Sequence, residues 1–187
     1  MRMEEKHGPK WYETGERIEQ VALEMIEHSN LDHVSVRAVC ERANVNRSTF
    51  YEHYDDVYDL LDKLEKKNRN GIKDRYAGGR HTAFSVPSFI QFLTHIKENR
   101  TFYRVILKTR TSFPIRTGLD GLLNTVFRPI CLKAGITDEE QILYYLVFFQ
   151  AGITMCLLRW VENECRESVE EMAEFFAKCF SPLSMEQ

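Results

Sequence analysis

Three arginines, Arg37, Arg42 and Arg47, share one short stretch of the chain with the hydroxyls of Ser35, Ser48, Thr49 and Tyr51. Guanidinium charge and hydroxyl donors, set beside the backbone donors that open two short helices, suit contact with an anionic phosphate chain. The residues of catalysis do not gather in this way. No G-x-S-x-G, P-loop, G-x-G-x-x-G or H-E-x-x-H pattern occurs, and the six histidines form no recognised arrangement with Cys or acids. The five cysteines, Cys40, Cys131, Cys156, Cys165 and Cys179, are scattered, with no C-x-x-C pair and no histidine at ligand spacing. Neither an enzyme, a structural metal nor a cofactor is expected, and the thiols are expected to be reduced.

The elements that must position these residues are helices. With 43% hydrophobic residues but only 9 Gly and 5 Pro in 187 residues, the chain has few of the turns a sandwich or barrel needs. An all-α fold of about nine helices is expected. Ile18, Ala22, Met25 and Ile26 line one face of a first helix, from near Thr14 to Ser29-Asn30. Ser35 is the expected N-cap of a second, in which Val36, Val39, Cys40 and Ala43 recur at helical spacing. Asn44 tolerates the left-handed backbone of a tight turn. Asn46 should then cap a short third helix, Arg47 to Tyr54, with Val45, Phe50 and Tyr54 turned inward. A fourth opens at Asp55 or Asp56, carries Tyr58, Leu60, Leu61 and Leu64, and reaches about Tyr76.

Gly78-Gly79 and Ser85-Val-Pro87 read as a loop between two regions. Residues 1–60, with a linking helix to about 76, are expected to form one domain and residues 77–187 a second. In the second, Phe89, Leu93 and Ile96 mark one helix and Phe102, Val105 and Ile106 another. Leu119, Leu122, Leu123, Val126, Phe127 and Ile130 mark a third, kinked at Pro129. Capping boxes at Thr137-Asp-Glu-Glu140 and Ser168-Val-Glu-Glu171 should open the last two, the final one bearing the stripe Met172, Phe175, Phe176, Cys179 and Phe180.

A formal charge of −3 excludes polybasic binding to nucleic acid. Residues 1–60 carry 7 basic and 13 acidic groups, 61–80 carry 7 and 3, 81–135 carry 8 and 2, and 136–187 carry 3 and 10. Any contact with DNA must come from a local patch. An αα corner with a solvated polar face has the same spacing as residues 34–54, so spacing alone does not choose between it and a helix-turn-helix. From Ile142 to Val161 only Gln150, Gly152, Thr154 and Arg159 interrupt apolar residues, a length that suits a membrane span. Gln150, Thr154, Arg159 and the acidic flanks argue against one, and a helix buried both on its own core and on a partner fits instead. Met1 to Lys10 is charged and has no apolar h-region, so a cytoplasmic location is expected.

The run Val34-Ser-Val-Arg-Ala-Val-Cys-Glu-Arg-Ala-Asn-Val-Asn-Arg-Ser-Thr-Phe-Tyr-Glu-His-Tyr54, followed by Tyr58-Asp-Leu-Leu61, closely resembles the DNA-binding domain of TetR-family transcriptional regulators. The second half is similar to the C-terminal domain of a subgroup common in Firmicutes, through Gln150-Ala-Gly152, Trp160-Val-Glu-Asn163 and Ser168-Val-Glu-Glu-Met172. The resemblance implies a third helix in the major groove, with Arg47, Ser48 and Thr49 at or near base edges and Arg47 able to reach guanine O6 and N7. It places Tyr51 and His53 at phosphate-contacting positions; Ser35, Arg37 and Asn46 are further candidates for contact with DNA, on their own chemistry and their positions at the helix starts. It implies a homodimer built from the last two helices, with Gly152, Met155, Trp160, Met172, Phe175, Phe176 and Cys179 at the interface. A small-molecule cavity is implied in the second domain, for which Phe92, His95, Phe102, Tyr103, Phe127, Tyr144, Phe148 and Met155 are candidates. Each of these also fits an ordinary core position.

The expected function is thus that of a homodimeric repressor that binds a pseudo-palindromic operator in double-stranded DNA and is released by a small-molecule effector, with no membrane partner. Two departures bear on it. Asn44 stands where many relatives have Gly, and Asp55 and Val57 stand where Lys is common; Asp55 and Asp56 repel phosphate. They keep open a co-activator or protein-interaction module of the same fold, dependent on a partner or ligand and with little independent DNA binding. Arg100, Arg104, Lys108, Arg110 and Arg116 make the centre basic, which suits an acidic ligand, a protein partner or a solvated face.

Overall fold

Gly8 and Pro9 open helix α1 (Pro9–His28). Proline at the first helical position has φ already set and lacks only a donor that would find no partner there, so the helix begins before the expected Thr14. A 3₁₀ turn (Leu31–His33) leads to α2 (Val36–Ala43), α3 (Arg47–His53) and α4 (Val57–Ala77). Then follow α5 (Val86–Glu98), α6 (Arg100–Thr109), α7 (Arg128–Lys133), α8 (Glu139–Glu162) and α9 (Val169–Ser184). This computed structural model describes residues 8–77, 84–109 and 127–184, and among them there is no strand. Gly78-Gly79, Arg110, Arg116 and the Leu119–Val126 part of the expected third helix of the second region lie outside the described residues. Pro129 occupies the first turn of α7, where its missing donor costs nothing; the preceding part of the expected helix, and with it the expected kink, lies outside the described residues.

The chain divides into two compact units, residues 1–71 and 72–187. In the first, Ile18, Ala22 and Ile26 of α1 share a buried core with Val39, Cys40 and Ala43 of α2, Phe50 of α3, and Leu60, Leu61 and Leu64 of α4. Local chemistry places each helix end. The Ser35 hydroxyl accepts the Ala38 amide at 3.2 Å, and Asn44 closes α2 in the left-handed region at φ 51°, ψ 53°. Asp56 accepts the Asp59 amide at 2.7 Å while the Asp59 carboxylate accepts the Asp55 amide at 2.9 Å. This reciprocal cap fixes the start of α4. Burial raises the Asp59 pKa, but hydrogen bonds from Lys63 and the Asp55 amide, with the Lys63 charge, outweigh it and hold the group below its ordinary value.

In the second unit α5 packs on α9 and α6 on α8. Phe89, Leu93 and Ile96 of α5 meet Leu146, Leu157, Trp160 and Val161 of α8 and Ala173, Phe176 and Phe180 of α9. The Phe180 ring stacks on Phe84 at 4.2 Å and on Phe149 at 4.5 Å. The cap of α8 is Asp138, which accepts the Gln141 amide at 2.9 Å, one residue later than the expected Thr137 box. The Ser168 box forms as its spacing predicts: the Ser168 hydroxyl accepts the Glu171 amide at 3.1 Å, and the Glu171 carboxylate accepts the Ser168 amide at 2.7 Å.

Candidate nucleic-acid interface

Helix α3 has seven residues, too few to be stable alone, so its position depends on what grips it. Phe50 is fully buried beneath it. At its C-terminal end the Lys63 ammonium donates to the His53 carbonyl at 3.0 Å and pairs with Asp59 at 2.8 Å. The Tyr54 hydroxyl donates to Glu19 at 3.0 Å, and Glu19 also pairs with Lys67 at 3.1 Å. Burial first, and the neighbouring Glu19 charge second, push the Tyr54 phenol well above its ordinary pKa, so it remains a neutral donor. The α2–α3 turn is held from α1, where Arg17 Nε donates to the Ala43 carbonyl at 3.0 Å.

This frame leaves one face of α3 in solvent: Arg47, Ser48, Tyr51 and Glu52 are exposed and Thr49 half-buried. Arg47 forms no hydrogen bond or ion pair with any described residue. Arg37 pairs with Glu41 at 2.7 Å on the surface of α2, an exposed contact weak enough to yield to a phosphate. Arg42 pairs with Glu24 at 3.3 Å. Asn46 occupies the N-cap position of α3, but its side chain makes no capping bond.

His53 departs from expectation. Its ring is buried at 7% exposure, stacked on Trp11 at 4.1 Å, with Nδ1 only 3.1 Å from where a Cβ on Gly15 would sit. It is a packing residue between α1 and α3, not a surface group. The second unit brings similar corrections. Tyr144, Phe148 and Met155 are 70%, 72% and 59% exposed, so they line no interior cavity. His95, Phe102 and Phe127 are buried, while Phe92 and Tyr103 are half-buried; Phe92, Tyr103 and Phe127 belong to the packed core or its edge. Burial pushes the Tyr103 phenol upward. Of the expected interface residues, Trp160 and Phe176 are core, and Met172 leans on that core. Gly152, Met155, Phe175 and Cys179 are exposed. The cations Arg100, Arg104 and Lys108 do not form a free patch. Arg104 pairs with Glu164 at 2.7 Å and donates to the Val161 carbonyl at 2.9 Å, Lys108 pairs with Glu162 at 3.0 Å, and Arg100 lies 4.0 Å from Glu164.

A short helix with a solvated polar face, joined by a left-handed Asn turn to a capped helix and buttressed by a third, defines a helix-turn-helix unit. Residues 18–64 match the tetR family of bacterial regulatory proteins, and residues 86–181 match a transcriptional regulator C-terminal region of the same family. The chain belongs to the TetR family of transcriptional regulators, which are not enzymes. No curated protein matches the sequence. Among solved structures, the chain is similar to a TetR-family transcriptional regulator from Syntrophomonas wolfei, with TM-score 0.66 and 19% identity over 92% of this chain and 95% of that one. It is similar to the fatty acid degradation regulator FadR from Bacillus halodurans, with TM-score 0.62 and 13% identity over 93% and 95%. It is also similar to the dihydroxyacetone kinase operon activator DhaS, with TM-score 0.52 and 15% identity over 90% and 94%. At these identities the likeness is one of fold.

Proposed function

We propose that the chain is a cytoplasmic homodimeric repressor whose two α3 helices read the half-sites of a pseudo-palindromic operator, and which a small-molecule effector releases. The observation that carries this reading is the solvated face of α3, where Arg47 stands with no ion pair among the described residues beside Ser48 and Tyr51. Arg47 is suited to a guanine edge, and Ser48, Thr49 and Tyr51 to neighbouring base or phosphate oxygens. Half-sites would lie about 34 to 36 Å apart or more between centres.

Dimerisation is supported by α8, whose Tyr144, Phe148 and Met155 stand exposed at i, i+4 and i+11, and by α9, on which Phe175 and Cys179 are exposed. Apolar side chains exposed in one stripe are typical of a surface that another protein covers. Gly152 lies in the same stripe with open space where a Cβ would point, so a second helix could approach closely. An effector favouring a different spacing of the two reading helices would shift the population away from the DNA-bound state.

Asp55 and Asp56, exposed where α4 begins, favour a second reading, a co-activator that reaches DNA through a partner. The activator DhaS, of similar fold, is a precedent for positive control. The Asp56 carboxylate caps α4, however, which accounts for that acid without a loss of DNA binding, whereas Asp55 gives the cap only its backbone amide. Selection of the purified protein on random duplexes at roughly physiological salt, where non-specific binding is weak, decides between the readings. A recovered two-fold symmetric site supports the repressor; a folded dimer that recovers nothing supports the co-activator.

A further inference from the structure

We infer that the notch between the start of α1 and the α2–α3 turn is a seat for one phosphodiester of the DNA backbone beside each half-site, with Lys10 and Arg17 as its cations. The inference rests on the DNA-binding reading above and adds a contact outside the solvated face of α3.

The argument begins with charge. Residues 8–60 hold Lys10, Arg17, Arg37, Arg42 and Arg47, against a larger number of acids. Arg37 and Arg42 are neutralised by Glu41 and Glu24. Lys10 forms no ion pair among the described residues. The bond from Arg17 Nε to the Ala43 carbonyl orients that guanidinium without neutralising it. The cations left uncompensated among the described residues of this segment are therefore Lys10, Arg17 and Arg47, and the first two line a single notch of about 450 Å³. Arg47 does not line it but lies in α3 between Asn46 and Thr49, which do.

The neutral groups are of the matching kind. Asn46 lines the notch with a side chain that its capping position leaves unused, and Thr49 adds a hydroxyl one turn along α3. Among the described residues Glu41 is the only acid lining the notch, and its carboxylate is held by Arg37. Asn46 and Thr49 belong to the helix that carries Arg47, Ser48 and Tyr51, so the notch flanks the α3 face. A strand whose neighbouring groups meet that face would bring one phosphate to it. Two cations on a solvent-open surface hold a free anion poorly in salt, but a phosphate fixed by contacts on either side of it needs little more.

The test compares wild type with Lys10→Ala on the selected operator and on a mismatched duplex. Lys10 is exposed in the first turn of α1, where alanine is a good helix former, and an unchanged thermal melt verifies folding. The expected result is weaker binding to both duplexes by the same factor, with a slope of log K against log salt shallower by about 0.9 for each half-site. A single neutral methylphosphonate, moved along the strand, should weaken wild type at each contacted phosphate, and at one of those positions per half-site the loss should be smaller in Lys10→Ala. An unchanged salt slope, or losses that simply add at every position, would overturn the notch while leaving operator binding intact. Wild type that retains no duplex overturns the DNA-binding reading itself.

Discussion

In residues 8–71 the large apolar side chains left exposed are Tyr12, Tyr51 and Tyr58, while among the described residues of the second unit they are Leu132, Tyr144, Tyr145, Phe148, Met155 and Phe175. Every member of the first set ends in a hydroxyl, and that of Tyr58 already donates to Asp32 at 2.8 Å. Such residues tolerate water and serve a polar partner equally well. Phe148 and Met155 have no polar end, and their exposure is relieved only by another apolar surface. The same contrast holds for charge. The first unit leaves cations uncompensated around α3, whereas Arg104 and Lys108 of the second are tied to Glu164 and Glu162. One unit thus has unspent electrostatic capacity and the other unspent hydrophobic capacity, which matches DNA for the first and a second copy of the chain for the second.

The largest expected effect breaks the hydrophobic side of that contrast. Phe148→Glu places an unpaired carboxylate in the proposed dimer surface, a change that costs about 3 to 5 kcal/mol when the partner buries it. Sedimentation equilibrium should shift from twice the 22.0 kDa chain mass towards the monomer, and operator affinity should fall by at least about 100-fold because two linked reading heads become one. A monomeric wild type, or a variant still dimeric at micromolar concentration, would sink the assignment of this stripe.

The next effect separates packing from contact within the first unit. His53→Ala removes the ring stacked on Trp11 and should lower stability by about 2 to 4 kcal/mol, read as a denaturant midpoint. At a temperature where the variant is folded, its salt slope on operator DNA should equal that of wild type. A slope reduced as if a phosphate contact were lost would return His53 to the interface. Arg47→Ala should show the opposite pattern: an unchanged melt and a loss of discrimination between matched and mismatched duplexes of about 1 to 3 kcal/mol. Equal losses on both duplexes would reduce Arg47 to a phosphate contact. Tyr51→Phe should weaken every sequence alike by about 0.5 to 1.5 kcal/mol, the scale of one hydrogen bond.

What was legible in the sequence divides along similar lines. The Ser35 cap, the left-handed Asn44 and the Ser168 box are local, set by residues three or four apart, and the structure contains them where their spacing predicts. His53 was not legible as core, because its burial depends on Trp11 and Gly15 in a helix far away in the chain. The missing signal lay in Gly8-Pro9, which marks the true start of α1 and so brings Lys10, Trp11 and Thr14 onto a helix that packs against α3. On α8 the difficulty was different. A helix apolar nearly all round has no periodicity to say which side faces the core, so Trp160 and Phe148 read alike although one is 2% and the other 72% exposed. Only the packing partners, α6 and the turn in which Trp160 Nε1 donates to the Glu167 carbonyl at 3.0 Å, decide it.

The smallest expected effect concerns the acids that open α4, the feature most at odds with DNA binding. If Asp56 and Asp59 are there to cap the helix, part of their contribution must appear as stability with a definite pH dependence. Asp59 is held below its ordinary pKa of 3.8 in the folded state, so its contribution is fully present above the unfolded value and disappears as pH falls through the lower, folded one. Asp59→Asn should therefore cost about 1 kcal/mol or less at neutral pH, discounted because the pair with Lys63 is partly solvated. The difference in Tm between variant and wild type should stay constant from pH 7 to about pH 5 and close below about pH 4. A gap that persists into acid would mean that Asp59 acts through packing or the backbone rather than its charge, and the cap would no longer account for acids beside the DNA-reading helix.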